Sequence, residues 1–75
     1  MHLTFRQLQC FSAVATNLSY TKAAKELHLT QPAVSMQIRQ LEQQAGLALT
    51  EQFGKQVHLT EAGQEVFRYA RSILQ

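Results

Sequence analysis

The hydrophobic positions fall into four helical runs and one short, imperfectly alternating stretch. Val34, Ile38, Leu41 and Ala45 are spaced four, three and four apart, so they share one face of a helix. Both ends of that helix are marked. Thr30 can cap the start through its hydroxyl, and Pro32 sits in the first turn, where its missing N–H costs nothing. Gly46 follows the last periodic residue, where a left-handed conformation favours glycine. The opposite face carries Met36, Arg39, Gln40 and Gln43, with Gln31 and Ser35 flanking near the start. That face is poor in acid and rich in amide and hydroxyl groups, which hydrogen-bond base edges in a groove that admits a helix. Thr30 to Gly46 therefore reads as a DNA recognition helix, against the plainer alternative of a solvated amphipathic helix.

Upstream, the spacing predicts a first helix over Thr4 to Asn17. Phe5, Leu8, Phe11, Ala15 and Leu18 recur at three and four and are expected to face the core. Leu3, Cys10 and Val14 form a second apolar strip, so this helix needs two packing partners. Asn17 to Ser19 break the pattern. Ser19 is a good N-cap for a short second helix, Tyr20 to about His28, with Ala23, Ala24 and Leu27 inward and Lys22, Lys25 and Glu26 outward. Only His28 to Thr30 separate it from the recognition helix, and two helices joined by so short a turn form a helix-turn-helix unit. The turn lacks the glycine often found there.

After Gly46, Leu47, Ala48 and Leu49 are expected to pack back on the core. Thr50 to Phe53 and Gln56 to Leu59 flank Gly54-Lys55, which fits a small hairpin and hence a wing. Thr60 caps a last helix, with Glu61 in the first turn, where the helix dipole favours an acid. Gly63, Phe67, Ala70 and Leu74 make one apolar seam, and Ala62, Val66, Tyr69 and Ile73 an adjacent one. One seam can cover the first helix and the other invites a second copy of this helix. No stop signal precedes Gln75, so the chain reads as a piece of a longer protein. Expected boundaries are residues 1–59 for a winged helix-turn-helix domain and 60–75 for the start of a linker helix.

With 75 residues, one domain is the limit. The net charge of +2 permits nucleic acid as a partner without demanding it. There is no Asp, and His2, His28, His58 and Cys10 match no familiar zinc spacing. Neither a phosphate-cradling glycine loop nor a nucleophile–base arrangement is present, so no enzyme and no cofactor are expected. Cys10 reads as a small buried hydrophobe, with no cation beside it in sequence. Without a signal peptide or an apolar run long enough for a membrane, the expected location is the cytoplasm.

The chain resembles the N-terminal DNA-binding domain of LysR-type transcriptional regulators. The resemblance rests on Leu8 through Phe11 and Val14-Ala15, on Ser19 through Ala24, and on Leu27 through Ser35. Further on it takes in Gln37-Ile38, Leu41-Glu42, Gly46-Leu47 and Leu59 through Gly63. It implies a mainly α fold: a winged helix-turn-helix with a three-helix core and a small β-hairpin wing, plus a long C-terminal linker helix that dimerises. It also implies double-stranded DNA as partner, a homodimer on an inverted-repeat site and a tetramer in the full-length protein. A small-molecule effector would bind a C-terminal domain that is missing here. Met36, with Glu51-Gln52, Gly54-Lys55 and Leu59-Thr60, resembles the subgroup that regulates carbon-fixation (RuBisCO and Calvin-cycle) operons. Two positions depart from the family pattern. Thr50 stands where Phe is usual, which implies a lost apolar anchor for the wing, and Gln52 stands where many members carry Arg, which implies a lost phosphate cation.

By helix position and by this resemblance, Gln31, Pro32, Ser35, Met36 and Arg39 are the candidates for base and groove contact. Ser19, Thr21, Lys22, Thr30, Gln37, Gln52 and Lys55 are the candidates for phosphate contact. Val66, Phe67, Ala70, Ile73 and Leu74 are the candidates for a dimer surface. The rival reading is a winged-helix module that binds protein instead of DNA. Such modules lose the basic, amide-rich recognition face, and Glu26 and Glu42 are the only acids near that face here.

Overall fold

The elements follow in the order α1 (Phe5–Asn17), α2 (Tyr20–Leu27), α3 (Gln31–Ala45), β1 (Thr50–Phe53), β2 (Gln56–Leu59) and α4 (Glu61–Leu74). This is a winged helix-turn-helix with an additional C-terminal helix. The structure, a computed structural model, describes residues 3–74. His2, and the continuation of the last helix to Gln75, lie outside the described residues.

Helix α1 begins with a capping box. Thr4 Oγ1 accepts from the Gln7 backbone N–H (3.0 Å), and Gln7 Oε1 accepts in return from the Thr4 N–H (3.1 Å). The exchange satisfies the amide oxygen of Gln7, the one buried polar residue among the described residues. Leu8, Cys10, Phe11, Ala13, Val14 and Ala15 are buried, so α1 is enclosed on two sides, by α2 and α3 on one and α4 on the other. Two expected core residues are not in the core. Leu18 ends the helix in a left-handed conformation (φ 49°), which takes it off the helical period and leaves it 48% exposed. Phe5 precedes the enclosed part of α1 and is 60% exposed.

Ser19 caps α2 by accepting from the Lys22 N–H (3.1 Å), and Ala23 and Ala24 are buried on its inner face. Small side chains there let neighbouring helices approach closely. Val34, Ile38 and Leu41 of α3 fill the space beneath, as their spacing predicts. Of the segment after α3, only Leu49 returns to the core. Leu47 and Ala48 are exposed, because the left-handed Gly46 (φ 72°) turns the chain outward before it comes back.

The hairpin is antiparallel, with Thr50 opposite Leu59 and Phe53 opposite Gln56. Gly54 takes the positive φ (64°) that the first position of such a two-residue turn demands. Val57 and Leu59 turn inward, whereas β1 contributes no fully buried residue. Thr60 then ties three pieces together. Its hydroxyl donates to the Ala48 carbonyl (2.7 Å) and accepts from the Gly63 N–H (2.9 Å), and its own N–H donates to the Leu49 carbonyl (3.1 Å). Gly63 is buried so close to Leu49 that a Cβ there would lie 2.0 Å from the Leu49 carbonyl oxygen.

Candidate nucleic-acid interface

The turn that aims α3 is built without glycine. His28 adopts the left-handed conformation (φ 57°), which histidine tolerates better than most residues. The Leu29 N–H reaches back to the Ala24 carbonyl (2.9 Å), closing the end of α2. At the next residue Thr30 Oγ1 accepts from the Ala33 N–H (3.2 Å) and starts α3. The helix-turn-helix is thus fixed at one end of a three-residue connection by a backbone hydrogen bond and at the other by the Thr30 side-chain cap.

Among the base-contact candidates, Gln31, Pro32, Met36 and Arg39 are exposed on one strip of α3, and Ser35 is half-buried beside them. Gln31 Nε2 lies 3.4 Å from Ser35 Oγ, so the two side chains support one another one turn apart. The strip carries amide, hydroxyl, thioether and guanidinium groups and no carboxylate. The only acid of α3, Glu42, is half-buried, and its Oε2 accepts from the backbone N–H groups of Leu49 (2.8 Å) and Thr50 (3.3 Å). The other nearby acid, Glu26, accepts from Asn17 Nδ2 (3.3 Å). These two ties were not apparent in the sequence. They engage both carboxylates in hydrogen bonds to neutral donors.

The phosphate candidates divide by element. Ser19, Thr21 and Lys22 stand at the start of α2, and Thr30 stands at the start of α3. The hydroxyls of Ser19 and Thr30 accept from the helix, which leaves each hydroxyl proton available for an anion. Gln37 is half-buried on α3. Gln52 and Lys55 are exposed on the wing, Lys55 at its tip. Thr50 offers no apolar anchor, as its identity implies, but its Oγ1 lies 3.0 Å from Tyr20 Oη, so a hydrogen bond ties the wing to α2 instead.

On the far side, α4 presents the seams assigned to a dimer. Ala70 must be removed from that surface, because it is fully buried within the single chain. Phe67 packs partly on the core, with Arg71 over its ring at 5.6 Å. The outward seam is Tyr69 and Ile73, with Val66 beside them half-buried and also packed against the core. With Leu3, Phe5 and Leu8 it lines an open apolar groove of about 680 Å³, with Glu65 at its edge. The exposed Phe5 therefore belongs to this groove. Burial pushes the Cys10 thiol up, against a smaller opposing pull from Arg6 one turn earlier, a cation that the sequence reading overlooked. Among the described residues no cluster of His, Cys, Asp or Glu could hold a metal ion, and no helix is long and apolar enough to cross a membrane.

Comparison with known proteins places this geometry. A RuBisCO operon transcriptional regulator of Allochromatium vinosum is 66% identical over 73 residues, which is 97% of this chain and 24% of that protein. The regulator CfxR of Cupriavidus necator is 54% identical over 96% of this chain and 23% of its own length. The chain thus spans about a quarter of the length of these relatives. Among solved structures, a CbnR DBD–DNA complex superposes with a TM-score of 0.90 at 41% identity, covering 95% of this chain and 82% of that one. A BenM DBD–catB site 1 DNA complex superposes equally well, with a TM-score of 0.90 at 38% identity over 95% of this chain and 80% of that one. The family model for bacterial regulatory helix-turn-helix proteins of the lysR family matches residues 5–64, and the chain belongs to that family.

Proposed function

We propose that this chain is the DNA-binding part of a transcriptional regulator that reads duplex DNA with α3 in the major groove and regulates carbon-fixation genes. The observation that carries the reading is the acid-free strip Gln31–Ser35–Met36–Arg39 on a helix capped at both ends, its one carboxylate engaged by the wing's backbone. Gln31 offers a donor and an acceptor, matching adenine, and Met36 offers apolar contact to a thymine methyl. Ser19, Thr21, Lys22, Thr30 and Gln37 face the phosphates, where hydroxyls, amides and helix N-termini position a protein without reading sequence. Gln52 and Lys55 extend that contact from the wing. The relatives named as RuBisCO operon regulators support the choice of genes, and the similar DNA complexes support the groove.

In the same reading, residues 1–59 are the DNA-binding unit and residues 60–75 open a linker helix. Two copies pair through the groove between α1 and α4, with Val66, Tyr69, Ile73 and Leu74 covering apolar surface that the single chain leaves in water. Pairing places two recognition helices about 34 Å apart, or a multiple of it, on an inverted repeat. Effector binding and higher assembly would fall to a further domain of the whole regulator. The role is regulatory, without catalysis, and belongs in the cytoplasm, where the DNA is.

The test is binding to an inverted-repeat duplex from a carbon-fixation promoter, titrated with salt. Tight binding whose logarithm falls steeply and linearly with log salt, and that a scrambled duplex cannot match, is the expected result. A chain that binds neither duplex would overturn the DNA-binding reading.

A further inference from the structure

We infer that Glu42 is a positioning residue, whose carboxylate ties the recognition helix to the wing and holds the hairpin so that its tip engages DNA together with α3. The inference rests on the DNA-binding reading above for its purpose, though not for its geometry. The hairpin is attached unequally. Strand β2 turns Val57 and Leu59 inward, whereas β1 buries no residue fully. The connection from α3 is not packed either, since Leu47 and Ala48 are exposed and Gly46 has no side chain. What fixes the direction in which the chain leaves α3 is therefore polar. Glu42 Oε2 accepts from both the Leu49 and the Thr50 N–H, at 2.8 and 3.3 Å. A carboxylate accepting backbone N–H groups in a half-buried place makes hydrogen bonds stronger than neutral ones.

Those two amides lie at a junction. The Leu49 carbonyl accepts from Thr60 at the start of α4, and the Thr50 hydroxyl meets Tyr20 of α2. Glu42 is the side chain of α3 that reaches the same junction. Without it the wing would still touch α2 and α4, but its angle to the recognition helix would be released. The two N–H dipoles partly offset the charge that this acid brings to the DNA-facing helix.

The test uses this chain with Glu42→Ala, Glu42→Gln, Lys55→Ala and the double variant of Glu42→Ala with Lys55→Ala. Amide nitrogen relaxation of the free protein reads the order of residues 50–59 directly. Glu42→Ala is expected to lower that order while leaving α1 to α3 rigid, and Glu42→Gln, which keeps an acceptor oxygen, to restore it. On the specific duplex, Glu42→Ala weakens binding on the order of five- to tenfold and lowers the salt slope by about one. In that background Lys55→Ala costs little more, and Glu42→Gln binds as the unaltered chain does. Unchanged order of the wing in Glu42→Ala overturns the inference, as does a Lys55→Ala loss of equal size in both backgrounds. If Glu42→Ala does not fold, Glu42→Asp, too short by one methylene to reach both amides, takes its place. A chain that binds no duplex overturns the DNA-binding reading alone, and the relaxation comparison still decides whether Glu42 orders the wing.

Discussion

Tyr20 Oη and Thr50 Oγ1 lie 3.0 Å apart, thirty residues distant in the chain, and join the start of α2 to the first residue of the wing. Both side chains are half-buried, so the bond is partly shielded from competing water. Removing either hydroxyl is expected to cost about 0.5–1.5 kcal/mol, the usual net worth of such a bond. Tyr20→Phe and Thr50→Val should each lower the urea midpoint without changing the slope of the transition. The double variant should lose less than the sum of the two. Additive losses would show that the two hydroxyls do not interact in solution.

Most of the helical framework is legible in the residues themselves. Ser19, Thr30, Gly46 and Thr60 mark helix ends through local hydrogen bonds or backbone conformations, and local chemistry can be read in a linear sequence. The spacing of Val34, Ile38 and Leu41 likewise depends on helix geometry alone. The failures have a common cause. Leu18 keeps the apolar period on paper, but it adopts the left-handed conformation itself, which takes its side chain off the helical face. Phe5 and Ala70 are both apolar on α1 and α4, and only the crossing of those helices decides which is covered. Glu42 and Thr50 carry contacts to partners that no local rule pairs with them. The composition of the recognition strip was evident from sequence, whereas the tethers that orient the wing against it were not.

Gly63 illustrates a contact that opposes a local preference. Alanine is favoured over glycine inside a helix by about 1 kcal/mol. Here a Cβ would meet the Leu49 carbonyl oxygen at 2.0 Å, and that atom is backbone held by Thr60. Gly63→Ala is therefore expected to destabilise the chain by about 2–3 kcal/mol or more, as overpacking against an immovable neighbour does. Thermal melting checks the sign. A variant as stable as the unaltered chain would mean that α4 moves away from Leu49 at no cost.

Cys10 is fully buried, and burial raises the pKa of its thiol despite the opposing pull of Arg6. The folded state thus holds the thiol proton more tightly than the unfolded chain does. The resulting stability is fully present below the unfolded thiol pKa of about 8.5 and is lost as pH rises above it towards the raised folded value. Denaturant midpoints measured from neutral to alkaline pH should fall more steeply for the unaltered chain than for Cys10→Ala. A thiol reagent should react no faster than the chain opens. Immediate reaction in the native state would contradict the burial.

The groove between α1 and α4 makes a prediction about self-association. Tyr69 and Ile73 are 71% and 49% exposed, so a charge at either position is compatible with the folded single chain. Tyr69→Glu and Ile73→Glu are expected to shift sedimentation from dimer towards monomer while leaving the melting of the single chain intact. Phe67→Glu should do more, because Phe67 also packs on the core and its loss destabilises the fold. Equal sedimentation of all these variants and the unaltered chain would exclude the groove as the pairing surface.

Sequence readout is expected to reside at the start of α3. Gln31 and Ser35 are one turn apart, with Gln31 Nε2 3.4 Å from Ser35 Oγ, an arrangement that limits how far the amide can swing before it meets a base. Gln31→Ala should cost about 1–3 kcal/mol on the specific duplex and much less on a scrambled one. Ser35→Ala should cost less than Gln31→Ala on the specific duplex, since it removes only the support. Arg39 lies a further turn along the same exposed strip and has the longer reach. Its loss should weaken both duplexes alike if it binds phosphate, and the specific one alone if it reads a base. Gln31 stands in the first turn beside the Thr30 cap, so melting curves must first show that Gln31→Ala leaves the fold unchanged. Competition binding with the two duplexes then decides. An equal loss on both, with the fold intact, would assign Gln31 to positioning the helix and move the reading of sequence to Met36 and Arg39.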